Sequence, residues 1–186
     1  MKKSVLLILF CLIVSKLSAQ SVLESEGDFP TKDVFKVFAY PLDGNSGSLV
    51  VQNGKLSPAV TDKKGIMLTD KQQKELLALL ENPSNFGGSD HRCFEPHIGF
   101  VFFNNKKQPI AHISVSFDCN DIESSHTIEA IKISGGTNHF SRQGIAKFLL
   151  FAYDLVKTLP TERQYAISKH YEEWQIEDLR KMYGTN

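Results

Sequence analysis

The residues best suited to chemistry sit close together. Cys93 and Cys119, with His91, His97 and His112, fall within the stretch His91–Asn120, HRCFEPHIGFVFFNNKKQPIAHISVSFDCN. Cysteine and histidine in such a cluster admit four outcomes. The two thiols can close a disulfide, the default for a paired count of cysteines in an exported chain. They can stay reduced and buried, where cysteine behaves as a small hydrophobe. His91, Cys93, His97 and Cys119 can hold zinc, which accepts these ligand types, although His-x-Cys-x3-His is not a finger spacing and the chain has no CxxC. Finally, Cys93 with His91 or His97 can form a thiolate–imidazolium nucleophile, but no motif marks an orienting Asn or an oxyanion hole.

Other constellations carry less. His112, Ser114, Ser116 and Asp118 alternate on one parity, which places His, Ser and Asp on one strand face in the manner of a triad. Neighbours two apart on a strand stand about 7 Å apart, too far for direct hydrogen bonds between short side chains. There is no Gly-x-Ser-x-Gly elbow either, so a solvated polar face is the expectation. Glu95, Glu123 and Glu129 offer carboxylates without a defined separation. His126 and His139 read as turn and surface histidines, and Lys106-Lys107 as a solvated turn. Tyr165, Tyr171, Trp174 and Tyr183 have helical spacing, which favours packing over a carbohydrate platform. Gly44, Gly47 and Gly54 lack the following Gly-Lys-Ser/Thr of a phosphate loop and read as turns.

The compartment decides which cysteine chemistry is open. The chain starts MKKSVLLILFCLIVSKLSAQ: a basic Lys2-Lys3, an apolar run from Val5 to Val14, and Ser18-Ala19 before Gln20. This is the anatomy of a signal peptide over residues 1–19, shorter than the ~20 residues of a membrane span. An uncleaved anchor is the alternative, and Lys16 argues against it. Phe10 beside Cys11 does not suit a lipoprotein cleavage box. Cleavage leaves Cys93 and Cys119 as the only thiols. It also removes Lys2, Lys3 and Lys16, so 21 basic residues become 18 against 21 acids, a net charge near −3. That balance gives neither the basic face of a nucleic-acid binder nor a polybasic membrane patch, and the mature chain has no further apolar run long enough to span a membrane.

The elements that would position the cysteines are a hairpin. Ile98–Phe103 and Ile110–Phe117 are strands around the turn Asn104–Pro109. In the second, Ala111, Ile113, Val115 and Phe117 share one face, and His112, Ser114 and Ser116 the other. If Asn104 faces Pro109, opposite residue numbers sum to 213, while Cys93 and Cys119 sum to 212. Both cysteines then lie near the open end of the hairpin, and a bulge or a change of register by one decides whether they meet. A bond there is worth roughly 3 kcal/mol through chain entropy.

Around this hairpin, Gln20–Lys32 reads as a mobile lead-in and Val34–Tyr40 as a strand. Leu49–Gln52, Asn53-Gly54 and Lys55–Ser57 read as a tight hairpin with a type I′ turn. Thr69 and Gln72 make a capping box for a helix to Asn82, with Leu76, Leu77 and Leu80 inward and Pro83 as its stop. Pro83–Asp90 reads as an exposed loop and Thr127–Ser134 as a strand with Ile131 and Ile133 on one face. Ser141 caps a helix covered on two sides. Ser168–Tyr183 is an amphipathic helix with Tyr171, Trp174, Leu179 and Met182 inward, a Glu177–Lys181 pair and Gly184 at its end.

Cys93-Phe94-Glu95-Pro96-His97, then Gly99-Phe100-Val101-Phe102, then Ile113-Ser114-Val115-Ser116-Phe117-Asp118-Cys119-Asn120 resembles a group of uncharacterised bacterial exported proteins with a Cys-aromatic-x-Pro, hairpin, Phe-x-Cys-Asn pattern. The resemblance covers roughly residues 91 to 145 and implies no activity. Where such sequences carry a further cysteine this chain has Ser116, which weakens a three-thiolate metal site and leaves Cys93–Cys119 as the pair.

The expectation is one α+β domain over residues 33–186, a mainly antiparallel sheet with about three helices. It is an exported, periplasmic or secreted, non-enzymatic binding or structural module tied by Cys93–Cys119, with no cofactor and no nucleic acid. The alternative is a small zinc- or thiol-dependent hydrolase using Cys93, His91, His97 and Cys119. A third reading makes it an inhibitor or immunity-type partner of another envelope protein.

Overall fold

The computed structural model describes residues 28–45, 47–89, 93–158 and 173–184. The fold is α+β. Among the described residues seven strands form in chain order: β1 (Lys36–Pro41), β2 (Val51–Gln52), β3 (Lys55–Leu56), β4 (Ile66–Met67), β5 (Ile98–Phe103), β6 (Pro109–Ser116) and β7 (Asp121–Ser124). Five of them make one antiparallel sheet in the order β4-β1-β5-β6-β7, and β2 with β3 makes a separate hairpin. The described helices are α1 (Asp70–Glu81), the single-turn α2 (Glu129–Ile133), α3 (Arg142–Lys157) and α4 (Glu173–Tyr183).

Strand periodicity sorts the sheet into two faces. Val37 and Ala39 of β1, Ile98, Phe100 and Phe102 of β5, and Ala111, Ile113 and Val115 of β6 point into the main core. The helices close this core, and Phe100 meets Phe151 of α3 with ring centroids 6.0 Å apart. β5 lies at the centre of the sheet because it is apolar on both faces. Its other face, with Val101, joins a second core made with Tyr40, Leu42, Val50, Ala59 and Val60. The segment from Leu42 to Val60, which carries the β2–β3 hairpin, therefore covers the far side of the sheet.

The local signals explain most elements. Asn53 and Gly54 take φ of 52° and 71°, the left-handed pair a type I′ turn requires. Thr69 Oγ1 accepts from the Gln72 N–H at 3.3 Å, and Gln72 Oε1 accepts from the Thr69 N–H at 2.9 Å, so both halves of the capping box form. Ser141 Oγ accepts from the Gly144 N–H at 3.0 Å and starts α3. That helix buries residues around nearly its whole circumference, Leu150 and Phe151 included. β5 and β6 pair with numbers summing to 213 from Ile98↔Val115 to Phe102↔Ala111; beyond a bulge, Phe103 rather than Asn104 faces Pro109.

Several expectations are corrected. Residues 127–134 contain α2 rather than a strand, and the strand that pairs with the outer edge of β6 is β7, just upstream. On a helix, positions two apart lie on opposite sides: Ile131 is buried while Ile133 is exposed. The stretch after Asn82 is not simply an exposed loop. Pro83–Asn85 is a 3-10 turn, Asn85 is buried with its Nδ2 donating to Leu79 O at 2.8 Å, and Phe86 stacks on Phe140. The lead-in is docked from Asp28 onward: the Phe29 N–H donates to Thr127 O at 2.9 Å and the Phe29 ring meets Phe102 edge-on. In α4 the inward residues are Ile176 and Leu179, whereas Met182 is exposed. Lys181 there pairs with Asp178, and Glu177 with Arg180, in place of a Glu177–Lys181 bond. Ser168 to Glu172, the side chain of Trp174, and the leader over 1–19 lie outside the described residues.

Candidate functional site

Two regions gather the polar side chains. The first is the open end of the β5–β6 hairpin. Cys93 and Cys119 are joined, with an S–S distance of 2.14 Å and Cα atoms 5.4 Å apart. Because their numbers sum to one less than the register, the two lie almost opposite each other beyond the last ladder pair. Cys119 is buried and Cys93 faces out. With both sulfurs bonded, neither is a thiolate that could ligate zinc or attack a substrate.

His97 is also placed there, and its ring is committed to structure. Nδ1 accepts from the Phe117 N–H at 3.4 Å, and Nε2 lies 3.4 Å from Asp118 Oδ2. The residue is 5% exposed. His91 lies outside the described residues, and among those described no group of three or more His, Cys, Asp or Glu is arranged to hold a metal.

The bond also has a mechanical consequence. Residues 93–97 clamp the chain that leads to the β2–β3 hairpin: the Gly47 N–H donates to Phe94 O and the Leu42 N–H to His97 O, both at 2.9 Å. The Glu95 N–H in turn donates to Ser116 Oγ at 3.1 Å. The disulfide thus anchors a strap, and the strap holds the hairpin layer against the sheet.

The polar face of β6 is not solvated. Ser114 and Ser116 are fully buried: the Val50 backbone lies on Ser114 and the Glu95 backbone on Ser116. The Val50 N–H donates to Ser114 Oγ at 2.8 Å. Val50 fits because its neighbour beneath is Gly99: a Cβ at Gly99 would come within 2.2 Å of the Val50 Cβ. Each serine hydroxyl therefore accepts a bond from covering backbone. No triad forms, since Asp118 turns to His97 rather than to His112.

The second region is the groove left between the hairpin layer and the sheet, a cavity of about 1020 Å³. Val101, Phe103 and His112 lie on the sheet side, Val51 and Leu56 on the hairpin, and Ser125 and His126 at the edge beyond β7. Ser125 Oγ accepts from the His112 N–H at 2.9 Å and lies 2.9 Å from Nδ1 of His126. Nδ1 of His112 is buried without a hydrogen-bond partner. Burial, and then the charge of neighbouring His126, pushes His112 down to about 4; burial also lowers His126. Both rings are thus neutral at pH 7. A half-desolvated groove whose few polar side chains sit among apolar walls can hold an amphipathic ligand.

This pairing was legible only in part. The sequence shows His112 as a polar member of an alternating strand and His126 as a turn or surface histidine, with nothing to join them. What brings them together is β7, which returns directly beside β6 and delivers Ser125 to the His112 backbone.

The remaining candidates serve other ends. Glu129 pairs with Lys132 at 3.2 Å. Glu123 stands on β7, where burial and then Asp121 raise its pKa, with His139 opposing. Glu95 precedes β5, and no hydrogen bond or ion pair joins these three carboxylates among the described residues. His139 Nδ1 lies 3.6 Å from Asp121 Oδ1. Lys106 and Lys107 are exposed in the β5–β6 turn. Tyr165 and Tyr171 lie outside the described residues, and Tyr183 is half-buried near the end of α4. No family model, no curated protein and no solved structure matches the chain.

Proposed function

We propose that this chain is an exported binding module, non-enzymatic, that takes a small amphipathic ligand in the groove between the β2–β3 hairpin and the sheet. The observation that carries this reading is the groove itself. Its volume is at the upper end of the roughly 300–1,000 Å³ common for ligand sites. Its walls are largely apolar, and its few polar groups converge at His112, Ser125 and His126. Export is supported by the leader anatomy and by the Cys93–Cys119 bond, which persists in oxidising compartments. Among the described residues no helix is long and apolar enough to cross a membrane.

The test uses N-phenyl-1-naphthylamine, an uncharged amphiphile that brightens in apolar surroundings. A saturable, one-to-one increase in fluorescence is expected with the purified mature chain. Val51→Trp and Leu56→Trp, which fill the groove from the hairpin side, are expected to reduce that binding at least tenfold while leaving the unfolding midpoint near its original value. Absence of saturable binding, or full binding by both folded variants, would overturn the reading.

A further inference from the structure

We propose that the Cys93–Cys119 bond is a redox latch on the hairpin layer: a dithiol reductant opens it at Cys93, and the layer loosens while the rest of the fold stays in place. The loosening belongs to the fold; its effect on a ligand rests on the groove being the binding site.

The two sulfurs differ in access. Cys93 faces out, whereas Cys119 is 1% exposed. Exchange begins when an external thiolate attacks one disulfide sulfur, and access helps to select which one. The attack therefore falls on Cys93 Sγ. A new S–S bond forms there, the bond to Cys119 breaks, and Cys119 leaves with the electron pair and takes a proton. The second thiol of the reductant then attacks its own bound sulfur, and Cys93 leaves and is protonated in turn. Two electrons and two protons pass to the protein, and the dithiol ends as its internal disulfide.

The two ends of the opened bond are held differently. Just after Cys119, the Asn120 carbonyl accepts from the Phe140 N–H at 3.1 Å, and Asn120 Nδ2 donates to the Phe140 carbonyl at 2.8 Å. Phe140 is fully buried in the main core, so this end stays put. On the other side the ladder resumes at His97, whose N–H donates to Val115 O at 2.9 Å. Residues 93–95 hang beyond it. Apart from the disulfide they are held by the Glu95 N–H on Ser116 Oγ and by the Phe94 carbonyl on the Gly47 N–H. Opening the bond therefore frees the Cys93 end.

That end leads to the groove. Gly47 lies three residues before Val50, whose N–H bonds to Ser114 Oγ. Val51 and Leu56, next in the hairpin, wall the groove. A local opening of this kind costs less than unfolding the whole chain, since it gives up few buried contacts.

The purified mature chain is treated with dithiothreitol, the dithiol probe, without denaturant. Full reduction is expected with the far-ultraviolet circular dichroism unchanged. Hydrogen exchange, read by mass spectrometry, is expected to rise at least tenfold over residues 42–51 and to stay within twofold in β5 and α3. N-phenyl-1-naphthylamine is expected to bind about fivefold more weakly, and reoxidation to restore it. With glutathione, a monothiol, followed by acid quenching, peptide mapping is expected to find the adduct on Cys93. An adduct on Cys119 would overturn the direction of attack. Reduction only where urea unfolds the chain, loss of the whole fold on reduction, or unchanged exchange over 42–51 in the reduced chain would overturn the latch. Faster exchange with dye held as tightly as before would cut its link to the groove. Dye that fails to bind the oxidised chain would instead remove the binding reading, and exchange alone would then decide the latch.

Discussion

His112 shows how much a strand position depends on what covers it. Its parity on β6 makes it polar-facing, but the layer above turns that face into a half-desolvated groove floor. The resulting pKa of about 4, against an ordinary 6.5, has a definite sign for stability. Between those two values the unfolded chain binds a proton at this site that the folded chain does not. Acidification in that window therefore favours unfolding; the full stability is present above about pH 6.5 and is lost as pH falls toward 4. The residue is part-exposed, so solvent screening reduces the effect to about 1–2 kcal/mol. Urea unfolding of the native chain and of His112→Gln at pH 7 and pH 4.5 is the measurement. The native chain is expected to lose about 1–2 kcal/mol more than the variant over that interval, and an equal loss in both would contradict the assignment.

At the scale of elements, the β2–β3 hairpin depends on a partner outside its own sequence. Two-residue strands cannot stand alone; this pair is held by Val50, which sits over Gly99 and donates to Ser114. Gly99 is required for the space that its missing side chain leaves. Gly99→Ala puts a methyl group where the Val50 side chain already lies. The expected result is a loss of about 1–3 kcal/mol, typical of overpacking, together with weaker dye binding, because the hairpin must lift. Denaturant titration checks the first and fluorescence the second. A variant as stable as the native chain, with unchanged binding, would show that the layer docks by other means.

At the scale of the molecule, the disulfide joins the two halves of this arrangement. It ties residues 26 apart, and in doing so fixes the strap that holds the Leu42–Val50 segment. Replacing both cysteines, Cys93→Ser with Cys119→Ser, is expected to cost about 3 kcal/mol through a less constrained unfolded chain. It is also expected to weaken dye binding severalfold at temperatures where the chain is still folded, because the strap loses its anchor. Calorimetry and the fluorescence titration read these separately. Binding unchanged in the folded double variant would mean that the groove does not depend on the strap.

Local chemistry within a few residues accounts for much of this protein. Asn53-Gly54 dictates its turn through backbone conformations few other pairs adopt, Thr69 with Gln72 sets a helix start, and the alternation in 111–117 identifies the inward face. These signals act over distances a sequence displays directly. Where they failed, the deciding contact was remote. Ile131 and Ile133 fit a strand by type, but the ladder position beside β6 is taken by Asp121–Ser124, and the chain beyond it coils into α2. Ser114 and Ser116 looked solvated because nothing near them in sequence reveals that Val50 and Glu95 supply their hydrogen bonds. The groove belongs wholly to this second class. Its floor, roof and edge come from three separate parts of the chain, so the space between them and the desolvation of His112 exist only after the layers have packed.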